Sequence, residues 1–126
     1  MADTALRVIR SVDERCPNQI SEQEKGRMLA RLELTIWDRI FARHAGAAEI
    51  HLFEYTPGMD LNTAEMAVPE PYSQLYDYGL EMLIHETNGD IERYNNARIL
   101  YMDAYNDFSK YWTRTHMPLE NPRFRL

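Results

Sequence analysis

Asn88-Gly89-Asp90 is the punctuation that most narrows what this chain can become. Upstream of it Leu75, Tyr76, Tyr78/Gly79, Met82 and Leu83 recur at helical spacing, and downstream a longer helical pattern runs from Ile91 to Thr115 without a proline. Glycine readily takes the left-handed conformation that closes a helix. Aspartate is a favoured N-cap for the next one. Two helices joined by so short a link must fold back on one another. The sequence therefore predicts an antiparallel helical hairpin. Its opening is Val68-Pro69-Glu70-Pro71-Tyr72, with Pro71 suited to the first helical position.

The second rod of the hairpin carries Tyr94, Tyr101, Tyr105, Phe108 and Trp112 at intervals of seven, four, three and four, which places five rings on one face. Ala97 and Ala104 on that side let a neighbour approach, while Asn96, Asp103, Asp107 and Lys110 make the other face polar. Gly79 costs its helix about 1 kcal/mol relative to alanine; close approach of another helix would explain it. Tyrosines outnumber phenylalanines by eight to four. Tyrosine suits surfaces that are apolar on one side and wet on the other, so part of the seam is expected to reach an interface.

The first helix should span Thr4 to Arg15, capped by Asp3 or Thr4, with Leu6, Ile9, Val12 and Cys16 as its stripe. Pro17 ends it. Ser21-Glu22-Gln23-Glu24 matches a capping box that opens a second helix. Its stripe of Met28/Leu29, Leu32, Ile36/Trp37 and Ile40/Phe41 carries it to about His44, with Gly46 as the stop. Residues 46–71 are irregular. Ile50, Leu52 and Tyr55 alternate as a strand does, Pro57-Gly58 marks a turn, and Glu65–Val68 offers a second strand, so the 48–68 region allows a short β-hairpin. Beyond Thr115, Pro118 and Pro122 forbid a continuous helix, and the end alternates arginine with large apolar residues, a composition suited to docking. The expected fold is mainly α: a bundle of about four helices with a long C-terminal hairpin, over residues 1–116, and an extended tail over 117–126.

At 126 residues, with 44% apolar and 27% charged, the chain reads as one soluble domain. No apolar run approaches the roughly 20 residues that a membrane span needs, and the early acid in Met1-Ala2-Asp3-Thr4 argues against a secretion signal. The single Cys16 cannot form an internal disulfide, fits a reducing cytosol and reads as a buried structural thiol. A net charge of −6 repels free nucleic acid. Chemistry is sparse. Asp77, Glu81 and His85 fall in a row that could donate to a metal, but it also matches an ordinary solvated helix face. Asp103 and Asp107 read as surface charges rather than a general acid/base pair. Gly46, Gly58, Gly79 and Gly89 stand alone, so there is no phosphate-binding loop. No catalytic residue, cofactor or metal is expected, and the chain is read as a non-enzyme.

The run Asn88-Gly89-Asp90-Ile91-Glu92-Arg93-Tyr94-Asn95-Asn96 and the run from Ala104 to Pro118 carry a likeness to a known family. Over about residues 65–118 the chain resembles the head-to-tail connector, or adaptor, proteins of long-tailed bacteriophages; the first two helices match in pattern only. The resemblance implies a structural virion protein in the phage neck, made in the host cytoplasm. There it would form a homo-oligomeric ring, commonly of twelve copies, on the portal protein. It would bridge the portal to the next neck or tail component while DNA passes through the lumen, without a membrane partner. On that reading Arg114, Arg123, Phe124, Arg125 and Leu126 dock to the portal, exposed parts of the second and fourth helices such as Trp37 and Trp112 make ring contacts, and residues 46–64 face the lumen or the downstream ring. Other virion roles (stopper, tail terminator, capsid accessory) stay open, as do a small metal-dependent enzyme built on Asp77, Glu81 and His85 and a cytosolic binding module.

Overall fold

The computed structural model describes residues 2–118. In chain order these form strand β1 (Ala2–Thr4), helix α1 (Ala5–Arg15), helix α2 (Glu22–Arg39), strand β2 (Glu65–Pro69), helix α3 (Gln74–Asn88) and helix α4 (Ile91–Thr115), with short 3₁₀ turns at Phe41–Arg43 and Ala47–Glu49. The fold is mainly helical with one two-stranded antiparallel sheet. α3 is the central rod and packs on α1, α2 and α4; α4 lies chiefly along α3. The core gathers Val8, Ile9 and Val12 from α1, Leu29, Leu32 and Ile36 from α2, and Leu75, Tyr76, Leu80 and Ile84 from α3.

Local sequence explains most of the helix ends. Thr4 caps α1, its Oγ1 accepting from the Arg7 amide at 3.3 Å. Two further first-turn amides have partners from far along the chain: Ala5 donates to the Ala64 carbonyl at 2.8 Å and Leu6 to the Leu61 carbonyl at 3.1 Å. The irregular segment is thereby tied to the start of α1. Ser21 Oγ accepts from the Glu24 amide at 3.1 Å, while the Glu24 carboxylate turns to Arg27 at 3.0 Å rather than back to Ser21. Gly89 sits at φ 73°, and Asp90 Oδ1 accepts from the Arg93 amide at 3.2 Å. The expected hairpin is present with the expected link.

Four expectations need correction. The strand at Glu65–Pro69 is real, but its partner is the N-terminal Ala2–Thr4, with Ala2 opposite Pro69 and Thr4 opposite Glu65. No strand forms at 50–55. The Phe53 and Ala67 amides both donate to Glu33 Oε2, at 3.0 and 2.9 Å, so a carboxylate stands where a ladder between those segments would run. α2 stops at Arg39 and tightens into the Phe41–Arg43 turn, which buries Phe41 against Phe108 and Trp112. α3 begins at Gln74, not Pro71, because residues 70–73 form turns, with the Tyr72 amide donating to the Pro69 carbonyl at 2.9 Å. Finally, the division at 116/117 is displaced. The Ala45 amide donates to the Met117 carbonyl at 2.8 Å and His44 bridges to Pro118, so these two residues belong to the folded body.

Candidate interaction surface

The α3–α4 seam supplies the long surfaces of the molecule. Gly79 lets it close. A β-carbon there would lie 2.8 Å from Leu32 Cδ1 and 3.0 Å from Tyr101 Cε1, so α2 and α4 both press on this point of α3. Of the five rings, Tyr101, Phe108 and Trp112 are buried and Tyr94 and Tyr105 are half-buried. Burial lifts the Tyr101 phenol to about 12, with Tyr105 adding to the effect and Arg39 opposing it. Tyr111 stacks on Tyr72 at 4.7 Å between centroids, joining the end of α4 to the segment before α3.

Trp112 does not present itself to a partner. It is 8% exposed, meets Phe41 edge-on at 4.8 Å and stacks on His116 at 3.5 Å. Helical periodicity gave its face correctly; the cover came from the Phe41 turn, which a longer second helix would not have supplied. Trp37 is half-buried against the core, and Arg114 is exposed near the end of α4. Arg123, Phe124, Arg125 and Leu126 lie outside the described residues.

The opposite face of α4 is open. Asn96, Asp103, Asp107 and Lys110 are exposed, as the sequence predicts. Among them sit two residues the sequence reading passed over: Ile99, 59% exposed, and Leu100, 47% exposed. Their positions between polar residues on the outer face were the available signal.

The polar groups that could do chemistry are tied into the fold. Asp77, Glu81 and His85 do share one face of α3, but it is not solvated: it looks onto α1. Asp77 Oδ2 accepts from Ser11 Oγ at 3.2 Å, and Arg15 Nη2 lies 3.6 Å from Asp77 and 3.3 Å from Glu81. Arg7 reaches Asp77 at 3.8 Å while its guanidinium clamps Asp3. Burial pushes the Asp77 carboxyl up, and Arg7 pulls it back. Arg7, Ser11, Arg15 and Asp77 line a cleft of about 480 Å³ with Glu70, Ser73 and Gln74. Among the described residues no three His, Cys, Asp or Glu side chains gather as a metal site would require. Cys16 is half-buried, with His85 Nε2 at 3.8 Å; burial raises its thiol pKa, and Glu81 raises it further, the reverse of what activates a nucleophile.

Glu33 is the polar residue the sequence reading missed. It is fully buried on α2, accepts from the Phe53 and Ala67 amides through Oε2, and accepts from the Tyr76 hydroxyl through Oε1. The Tyr76 oxygen in turn accepts from the Val68 amide at 2.8 Å. One carboxylate thus joins α2, the irregular segment, β2 and α3. Burial pushes its pKa up against the pull of those hydrogen bonds. Its signal was visible: an acid set within the stripe of Leu29, Leu32 and Ile36. Lys25 shows the same sign and meets Asp13 of α1 at 2.7 Å.

No family model matches the chain, and neither a curated protein nor a solved structure does.

Proposed function

We propose that this chain is a structural protein of a bacteriophage neck, a head-to-tail adaptor that assembles as a ring on the portal and links it to the next component. The observation that carries the reading is the α3–α4 hairpin. Residues 65–118, which bear the resemblance, contain a rod pair whose second member is a 25-residue helix with few buried side chains. A helix that long is about 37 Å, more than a domain this size needs to close its core. Its outer face is available for protein contact.

Two further features support the proposal. The carboxylates of Asp77, Glu81 and Glu33 are held by arginines, amides and a phenol inside the fold, which is how structural rather than turnover groups are used. The net charge of −6 suits a wall past which DNA slides without sticking. Among the described residues no helix is long and apolar enough to cross a membrane.

The test uses the full chain and a copy ending at Pro118, each mixed with the portal ring encoded in the same genome and sedimented. The full chain should travel with the portal and the shortened copy should not. A full chain that stays behind, or a genome without portal and capsid genes beside this one, would count against the reading.

A further inference from the structure

The outer face of α4 has an internal symmetry of charge. Arg93 and Asp107 lie seven residues to either side of Leu100. Glu92 and Lys110 lie nine to either side of Tyr101, one position along. At 100° per residue, Glu92, Arg93, Leu100, Asp103, Asp107 and Lys110 share one side of the helix, away from the buried Ala97, Tyr101, Phe108 and Trp112. All six are exposed, and Ile99 and Leu100 form the apolar centre.

We infer that α4 pairs with α4 of a second copy of this chain, antiparallel and centred on Leu100. In that register each Arg93 meets the partner's Asp107, each Glu92 falls beside the partner's Lys110, and Leu100 packs against its own copy at the two-fold axis with Ile99 at the edge of the seam. Both charge pairs repeat by symmetry, which is the mark of an isologous contact. The groups are free to make it. Glu92, Asp107 and Lys110 enter no ion pair among the described residues, and Arg93 is engaged only through Nε with the exposed Asp90 at 3.4 Å. The distance from Arg93 to Asp107 along the axis is about 21 Å, so the two charge layers flank the apolar centre on both sides. A parallel pairing would set Arg93 against Arg93 and Asp107 against Asp107. The pattern therefore selects direction as well as partner.

An isologous contact closes at two copies, whereas a ring needs head-to-tail contacts. The dimer is thus a property of the free protein and stands or falls apart from the neck assignment.

Sedimentation equilibrium over a concentration series, on the full chain, tests it. The wild type should show a monomer–dimer equilibrium. R93E should raise the dissociation constant by about tenfold or more, since it sets like charges together twice. D107R should do the same. Mixing the two variants should restore dimers: the substituted side chain of R93E then faces the substituted side chain of D107R with opposite charge, and the native Arg93 and Asp107 that remain face each other. The double variant R93E/D107R should also recover. A wild type that is monomeric throughout, an R93E variant that associates as before, or a mixture that stays apart would each overturn the inference. These substitutions lie on an exposed face, and circular dichroism of each variant should match the wild type.

Discussion

Removing the Glu33 carboxylate would strand three donors at once: the Phe53 and Ala67 amides and the Tyr76 hydroxyl. E33A should therefore lower stability by at least about 3 kcal/mol in chemical denaturation, and Y76F, which also orphans the Val68 amide, by about 1–3 kcal/mol. The pH dependence follows from the direction of the shift. Folding raises the Glu33 pKa, so the folded protein holds that proton more tightly than the unfolded chain. Its contribution to stability is complete below the unfolded value of about 4.3 and is lost as pH rises through the folded one. E33Q has no such group. Wild type should lose stability relative to E33Q as pH rises from about 4 through the folded Glu33 value; a gain on that rise would contradict the assignment. Asp77 shifts in the same direction but is common to both proteins. At this scale the sequence showed that Lys25 and Glu33 were anomalies on an apolar stripe. It did not show their partners, which for Glu33 are 20, 34 and 43 residues away.

Among the elements, the link of the hairpin was legible to the residue, because its signals are local: a left-handed glycine and a capping aspartate; the start of α3 was not, since residues 70–73 form turns. The two glycines nearest it do different work, and substitution separates them. G79A gains about 1 kcal/mol of helix propensity but forces a methyl against Leu32 and the Tyr101 ring, an overpacking cost of about 1–3 kcal/mol. The net expectation is a loss of about 1 kcal/mol, read from thermal or urea unfolding. G89A meets nothing within 4 Å, yet at φ 73° it should lose about 1–2 kcal/mol from backbone strain alone. The strand was half legible. Glu65–Pro69 alternates as expected, with Met66 and Val68 buried, but pairing is a property of two segments, and the segment chosen was the N-terminus. Trp112 shows the same limit: its spacing defined a face, and only the packing of Phe41 decided that the ring would be covered.

For the whole molecule, Met117 and Pro118 are tied to the folded body through Ala45 and His44. A chain ending at Pro118 and one ending at His116 together measure that tie. A chain ending at His116 loses the hydrogen bond to Met117 and the bridge from His44 to Pro118, and should be less stable by about 1 kcal/mol. Calorimetry of the two would decide it; equal stability would place residues 117 and 118 outside the body. This matters for the functional proposal, because a portal-binding defect is interpretable only in the copy that keeps Pro118. The long outer face of α4 and the proposed pairing with a second copy also belong to this scale. Neither follows from any single residue, since one aspartate or one arginine on a helix surface says nothing until its place relative to Leu100 is known.

The amino-acid sequence by itself determined that four helices form, which residues cap three of them at the N-terminus, and which faces are apolar. Those properties depend on residues within one or two turns of each other, where steric and hydrogen-bonding preferences act directly. Tertiary structure decided the rest: the partner of the lone strand, the burial of Trp112, the joining of four segments at Glu33, and the exposure of Ile99 and Leu100. Each of those depends on which distant surface arrives to exclude water, and local preference carries no information about that.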